Sequence, residues 1–172
     1  MIFSILACGK SGELGKDGKL PWEGRFRKDQ QRYLRKTTNQ IRVGTRGSIA
    51  TLNETRPSYF VSRSPEQPEF CLGVFDWTLM APERILTEIQ NNHPNNDVFV
   101  VGGSQWYCSS ACAVDQILLT RIDQNFEATT YVDLDRLLYN RKLLAKGVIH
   151  EAESMAFETW GERCMRANGD SS

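Results

Sequence analysis

The sequence predicts an α/β domain built on a mainly parallel sheet, and three observations carry that prediction. The runs at 2–8, 98–101 and 117–122 are dominated by apolar residues without regular alternation, the pattern of strands covered on both faces. Between them lie stretches of helical spacing, at 28–36 and at 82–91, where Ile85, Leu86 and Ile89 share one side. The two kinds of element alternate along the chain, and no repeat or low-complexity tract interrupts them.

In chain order, residues 2–8 read as a central strand. Positions 9–19 carry Gly9, Gly12, Gly15 and Gly18 among polar side chains and read as a mobile loop closed by Pro21-Trp22. These glycines lack the G-x-G-x-x-G order of the dinucleotide fingerprint. Trp22 with Leu20 is expected to anchor the loop on the core or to form the lip of a pocket beneath it. A helix over 28–36 is followed by a short strand, Ile41-Arg42-Val43, ending at Gly44, and by a helix start at Thr45-Arg46-Gly47-Ser48-Ile49. Backbone amides at a helix start bind phosphate, and Arg46 would add a full charge. Arg56-Pro57 leads into a strand at 58–63 whose end, Ser62-Arg63, repeats that chemistry, so the two ends are expected to share one anion.

Phe70-Cys71-Leu72 reads as a brief edge strand, and Pro82 suits the first position of the second helix. The strand 98–101 runs into Gly102-Gly103-Ser104, where paired glycines let backbone approach a ligand, and the helix beyond ends near Ala113. After the strand 117–122, Phe126 to Tyr131 with Asp133-Leu134 forms its exit, and the region around 148–160 fits an antiparallel hairpin closing one sheet edge. The domain is expected to span 1–163, with 164–172 a polar C-terminal tail.

At 172 residues, 40% hydrophobic and 24% charged, the chain has the composition of one soluble domain with a sizeable core. Lys+Arg and Asp+Glu both total 21, so no bulk charge draws it to nucleic acid or membrane, and any anion recognition is local. No apolar run reaches the roughly 18 residues of a membrane span, and the first residues lack the basic lead of a signal peptide. Cys8, Cys71, Cys108, Cys112 and Cys164 form no C-x-x-C pair and suit a reducing cytoplasm. His93 and His150 sit in no ligand-spaced cluster, so neither a metal site nor a histidine triad is expected. A monomer is the default.

The chain is organised around Asp29, Tyr33 and Thr37, which fall four residues apart and share one helix face. A carboxylate facing apolar neighbours is costly unless something pairs with it. A small cationic or amidine-like heterocycle stacked on Tyr33 would be such a partner. An acid in the first turn of a surface helix, favoured by the helix dipole, is the other reading open here.

Four places then align with one family. Gly15 through Leu20-Pro21-Trp22, the Asp29/Tyr33/Thr37 helix, Val101-Gly102-Gly103 with Tyr107, and Leu119-Thr120-Arg121-Ile122-Asp123 resemble dihydrofolate reductase from Met1 to about Arg163. Phe157-Glu158 adds to the likeness. The resemblance implies a single domain with an eight-stranded, mostly parallel sheet, a C-terminal antiparallel hairpin and about four flanking helices. It implies NADPH-dependent reduction of 7,8-dihydrofolate to tetrahydrofolate, in support of one-carbon and thymidylate synthesis.

By the same resemblance, Asp29 is the pocket carboxylate that holds the pterin, Thr120 bonds that acid, and Leu20 and Trp22 belong to the catalytic end. Ile5, Ala7, Gln30, Tyr33, Leu52, Val101 and Tyr107 would surround the substrate, with Arg56 gripping its glutamate tail. Ala7, Leu14 and Gly15 would meet the nicotinamide end of the cofactor, and Gly102, Gly103 and Ser104 its pyrophosphate, through a Gly-Gly bond that is cis in the family. Arg46, Ser62 and Arg63 would hold the 2′-phosphate, which favours NADPH over NADH, with Gly44, Thr45, Gly47 and Gln105 beside them.

The chain also departs from the pattern. The connector from Trp22 to Asp29 is longer than in most cellular members, resembles viral ones, and carries Arg25, Arg27 and Lys28. Gln30 and Gly47 replace an apolar residue and a threonine, with Ser48 a substitute hydroxyl; Gln105 replaces a frequent basic residue and Thr129 a loop-tethering acid. Loop closure is therefore expected to be weaker or differently held. Two rival functions follow: a folate- or nucleotide-binding assembly component with little turnover, and a reductase of another pterin- or pyrimidine-like ring. For an enzyme with a viral look, the host cytoplasm is the expected location.

Overall fold

The protein is described by a computed structural model over residues 1–150 and 154–163. Its strands, in chain order, are β1 (Ile2–Cys8), β2 (Glu13–Gly15), β3 (Ile41–Gly44), β4 (Ser58–Val61), β5 (Cys71–Phe75), β6 (Val98–Val100), β7 (Gln116–Ile122), β8 (Thr130–Tyr131), β9 (Arg141–His150) and β10 (Ser154–Arg163). The helices are α1 (Arg27–Thr37), α2 (Pro82–Asn92), α3 (Ser104–Ser109) and α4 (Leu134–Leu137). One eight-stranded sheet runs in the order β5-β4-β3-β6-β1-β7-β10-β9. Neighbours from β5 to β7 are parallel, and β10 is antiparallel to both β7 and β9.

These mainly apolar runs become the middle of this sheet because both its faces are covered. Alternation along each strand sends side chains to opposite sides. Leu6, Val98, Val100, Ile117 and Leu119 pack with Ile85, Leu86 and Ile89 of α2 on one face. Ile5, Phe99, Val101 and Leu118 pack on the other, where Tyr33 of α1 and Leu52 close over them.

Three local expectations change. The stretch 45–49 is a single turn, in which Thr45 O accepts from Ser48 N at 3.0 Å and Ile49 N at 3.3 Å. Gly47 lies inside it and no periodic apolar run follows, so nothing propagates a helix. The helix after Gly103 stops at Ser109, and a 3-10 turn at Ala111–Ala113 finishes the segment. The exit of β7 holds a two-residue strand and a short helix: β8 pairs with β2 inside the glycine-rich loop, and Asp133 Oδ1 caps α4 by accepting from Arg136 N at 3.1 Å. Residues 164–172, expected as a tail, lie outside the described residues.

A buried arginine fastens the sheet edge to the segment before β7. Arg141, 8% exposed, donates to the carbonyls of Ala111 at 2.6 Å, Val114 at 2.7 Å, Gly161 at 2.8 Å and Asp115 at 3.2 Å.

Candidate active site

Helix α1 turns its polar side inward. Arg32 and Thr37 are buried and Asp29 and Tyr33 half-buried, whereas Leu34 is exposed. A helix that buries charged groups in preference to its leucine is not placed there for packing alone. Its start is set by the long connector: Gly24 and Phe26 both take left-handed backbone, and Phe26 is buried against the Phe126 ring at 6.4 Å. Trp22, 2% exposed, packs its ring at a 55° tilt against Phe126 with centroids 5.0 Å apart, so it anchors the connector, while Leu20 stays 51% exposed.

At the inner end of that stripe, Thr120 of β7 donates its hydroxyl proton to Asp29 Oδ1 at 2.6 Å. Burial pushes the Asp29 carboxyl above its ordinary value, against the pull of the Thr120 hydrogen bond and of Arg32. Tyr33, Leu52, Ile5 and Val101 belong to one apolar cluster beside it, and Tyr107 donates to the Ile5 carbonyl at 2.8 Å. At the outer end, the Arg56 guanidinium lies 5.4 Å from the Tyr33 ring centroid and donates to Thr37 Oγ1 at 3.3 Å. The inward face of α1 thus carries an acid at one end and an aromatic ring in the middle, and meets the guanidinium of Arg56, from the segment before β4, at the other end. Gln30 is exposed on the outer side of α1, away from this face.

A second set of residues gathers at the ends of β3, β4 and β6. The Gly102-Gly103 peptide is cis, and Thr45 N donates to Gly102 O at 2.9 Å. A Cβ on Gly44 would lie 2.8 Å from that oxygen, and one on Gly102, at φ +115°, 2.7 Å from Ser48 Oγ. Only glycines allow this close approach of two backbones. Ser48 Oγ hydrogen bonds Thr45 Oγ1 at 2.8 Å, so the substitute hydroxyl faces the same place as the glycine pair. Beyond it, Arg46 Nε donates to Ser62 Oγ at 3.1 Å and its Nη2 to Ser64 O at 2.8 Å, with the guanidinium over Phe60. Arg63 and Gln105 are exposed, Ser104 opens α3, and Gly47 meets no neighbour. A glycine cradle with a guanidinium and hydroxyl held side by side beyond it fits a phosphorylated dinucleotide. Ala7 and Leu14 are half-buried, and Gly15 pairs with Thr130, on the loop side between the two sets.

Three functional candidates escaped the sequence. Arg32 stands three residues after Asp29, a spacing usually read as a surface ion pair. Arg42, 3% exposed, donates to Thr51 O at 2.6 Å, Ser58 Oγ at 3.1 Å, Arg56 O at 3.3 Å and Tyr33 Oη at 3.4 Å, bracing the middle and the outer end of the stripe. Glu13, 2% exposed, accepts from Ser11 N at 2.8 Å and from Phe126 N at 3.0 Å. Thr129 adds to that fastening: its N donates to Gly15 O at 2.8 Å and its Oγ1 accepts from Asp17 N at 2.9 Å. Thr129 thus ties the glycine-rich loop through its backbone and hydroxyl.

The family model for dihydrofolate reductase matches residues 1–159. The chain is 25% identical over 162 residues to dihydrofolate reductase type 9 of Escherichia coli, spanning 91% of this chain and 90% of that one. It is 26% identical over 149 residues to the type 8 enzyme of the same species, spanning 80% and 83%. A solved dihydrofolate reductase from Enterococcus faecalis, complexed with NADP(H) and RAB-propyl, superposes with a TM-score of 0.75 at 22% identity, over 95% of this chain and 97% of that one. The chain belongs to the dihydrofolate reductase family. Its activity is the NADPH-dependent reduction of 7,8-dihydrofolate to tetrahydrofolate.

Proposed function

We propose that Asp29 is the acid that receives dihydrofolate, that the Tyr33–Arg56 end of the stripe holds its tail, and that the Gly44/Gly102 cradle with Arg46 and Ser62 holds NADPH. The observation that carries this is the inward polar face of α1, with Asp29 bonded to Thr120 at 2.6 Å. When bound, NADPH supplies the hydride. Reduction of a C=N bond is aided by a proton on its nitrogen. Asp29 keeps the affinity for such a proton that burial gives it, and Thr120 fixes the carboxyl plane by occupying Oδ1, leaving Oδ2 for the substrate's amino group and ring N–H. A water relays the proton where Oδ2 does not touch the reacting nitrogen. Ile5, Leu52, Val101 and Tyr33 exclude bulk solvent from the ring.

Following NADPH absorbance with dihydrofolate tests the reading. Turnover is expected, and a folded protein that binds NADPH without turnover at micromolar enzyme would instead favour the assembly component. Arg56→Lys keeps a charge but loses the planar fork, and dihydrofolate binding is expected to weaken by about 1.5–3 kcal/mol with NADPH binding unchanged. An effect on NADPH alone would place the tail elsewhere. Replacing Arg46 and Arg63 together by Gln is expected to narrow the preference for NADPH over NADH by at least tenfold; a preference left intact in kcat/KM ratios would move the phosphate site.

The protein is read as a cytoplasmic monomer. Buried Cys8, Cys71 and Cys108 are free thiols, and among the described residues no helix is long and apolar enough to cross a membrane. Sedimentation at the mass of one chain is the expected result.

A further inference from the structure

The outer end of the α1 stripe carries a buried charge whose anion is missing from the chain. Arg42, 3% exposed, directs its Nε to Ser58 Oγ at 3.1 Å and its Nη2 to the carbonyls of Thr51 and Arg56 at 2.6 and 3.3 Å. Its Nη1 donates to Tyr33 Oη at 3.4 Å. The Arg56 guanidinium lies 5.4 Å from the centroid of the same ring. It is tied to α1 through Thr37 Oγ1 at 3.3 Å, a hydroxyl whose own proton goes to Tyr33 O at 2.8 Å. Two cations thus converge on one phenol, and among the described residues no carboxylate pairs with either.

A guanidinium buried without an anion is costly, and carbonyl dipoles offset the cost only in part. The Tyr33 hydroxyl accepts from Arg42, so its single proton is left to donate, and no described residue accepts it. An O–H that accepts from a cation is polarised and donates more strongly. The neighbouring hydroxyls are committed elsewhere: that of Thr37 to Tyr33 O, and that of Ser58 to Arg56 O at 3.0 Å. A bare ring would wall the cleft with Ile5, Leu52 and Val101 as well as a phenol does, so the hydroxyl answers to something other than packing. We propose that Tyr33 Oη is a ligand of the substrate: backed by Arg42, it donates to the tail carboxylate that Arg56 holds, and it makes this end of the cleft select ligands with an anionic tail. The proposal rests on the reading of the Tyr33–Arg56 end as the tail site. A carboxylate gripped by an Arg56 fork keeps lone pairs for a third donor, so phenol and guanidinium act on one group without competing.

Tyr33→Phe keeps the ring and removes the hydroxyl. Fluorescence titrations compare dihydrofolate with its bis-amide, which has the same rings and length and no tail charge. The parent is expected to favour dihydrofolate by at least about tenfold. Tyr33→Phe is expected to weaken dihydrofolate about tenfold and the bis-amide about twofold or less. In an Arg42→Met background, adding Tyr33→Phe is expected to weaken dihydrofolate only about threefold, because the hydroxyl has lost its backing. Equal weakening of both ligands by Tyr33→Phe would make the residue a wall alone, and unchanged affinity for dihydrofolate would point its proton elsewhere; either result overturns the proposal. A full tenfold loss in the Arg42→Met background overturns the part given to Arg42. Should circular dichroism show Arg42→Met unfolded, the two-ligand comparison on Tyr33→Phe decides by itself. A parent that binds both ligands alike overturns the reading of this end as the tail site and the proposal with it. A parent that prefers the charged tail, with the preference kept whole in Tyr33→Phe, overturns the proposal alone.

Discussion

Asp29→Asn is expected to lower single-turnover hydride transfer at neutral pH by about two to three orders of magnitude, the scale of a lost general acid, while leaving NADPH binding intact. The amide still accepts the Thr120 hydrogen bond, so the fold around it is preserved, but it has no proton to hold for the substrate. Unchanged rates would move the acid's role to another residue. Stability gives a second readout. Burial raises the proton affinity of Asp29 in the folded chain, so between its ordinary value and the raised one the folded chain keeps a proton that the unfolded chain has released. Stability therefore falls as pH rises through that window, and the loss persists above it. The Asn variant carries no such penalty: its Tm is expected to equal or exceed the parent's at neutral pH, with the advantage fading as pH drops. A Tm well below the parent's at neutral pH would mean that the charged form supports the fold.

Arg141→Met is expected to be the most destabilising of the substitutions considered, by about 4 kcal/mol. Four carbonyl oxygens lose their donor at once, and the methionine can satisfy none of them. For a chain of this length the Tm should fall by about ten degrees in thermal circular dichroism, with kcat at low temperature little changed. A fall of only a degree or two would mean that water replaces the guanidinium at that edge.

The fold was readable where burial leaves a plain mark. The runs at 2–8, 98–101 and 117–122 are strands because an element covered on both sides has no reason to alternate. Asp29, Tyr33 and Thr37 were readable as a face because their spacing is helical, and Gly102-Gly103 because two adjacent glycines have few other uses. What escaped was decided by distant contacts. Arg32 and Glu13 look like surface charges until the Phe157 ring and the Phe126 backbone are brought to them from more than a hundred residues away. The single turn at 45–49 and the β2–β8 pair are too short for any periodicity to show.

The fastening of Glu13, Gly15 and Asp17 to residues 126–129 has one more consequence. Two segments that are separate flaps in the sequence are stitched at successive points into one plate, so neither can swing while the other stays put. Departure of tetrahydrofolate and exchange of the spent dinucleotide would then wait on a common hinge, and the pace of the whole cycle would be set by how often that seam parts.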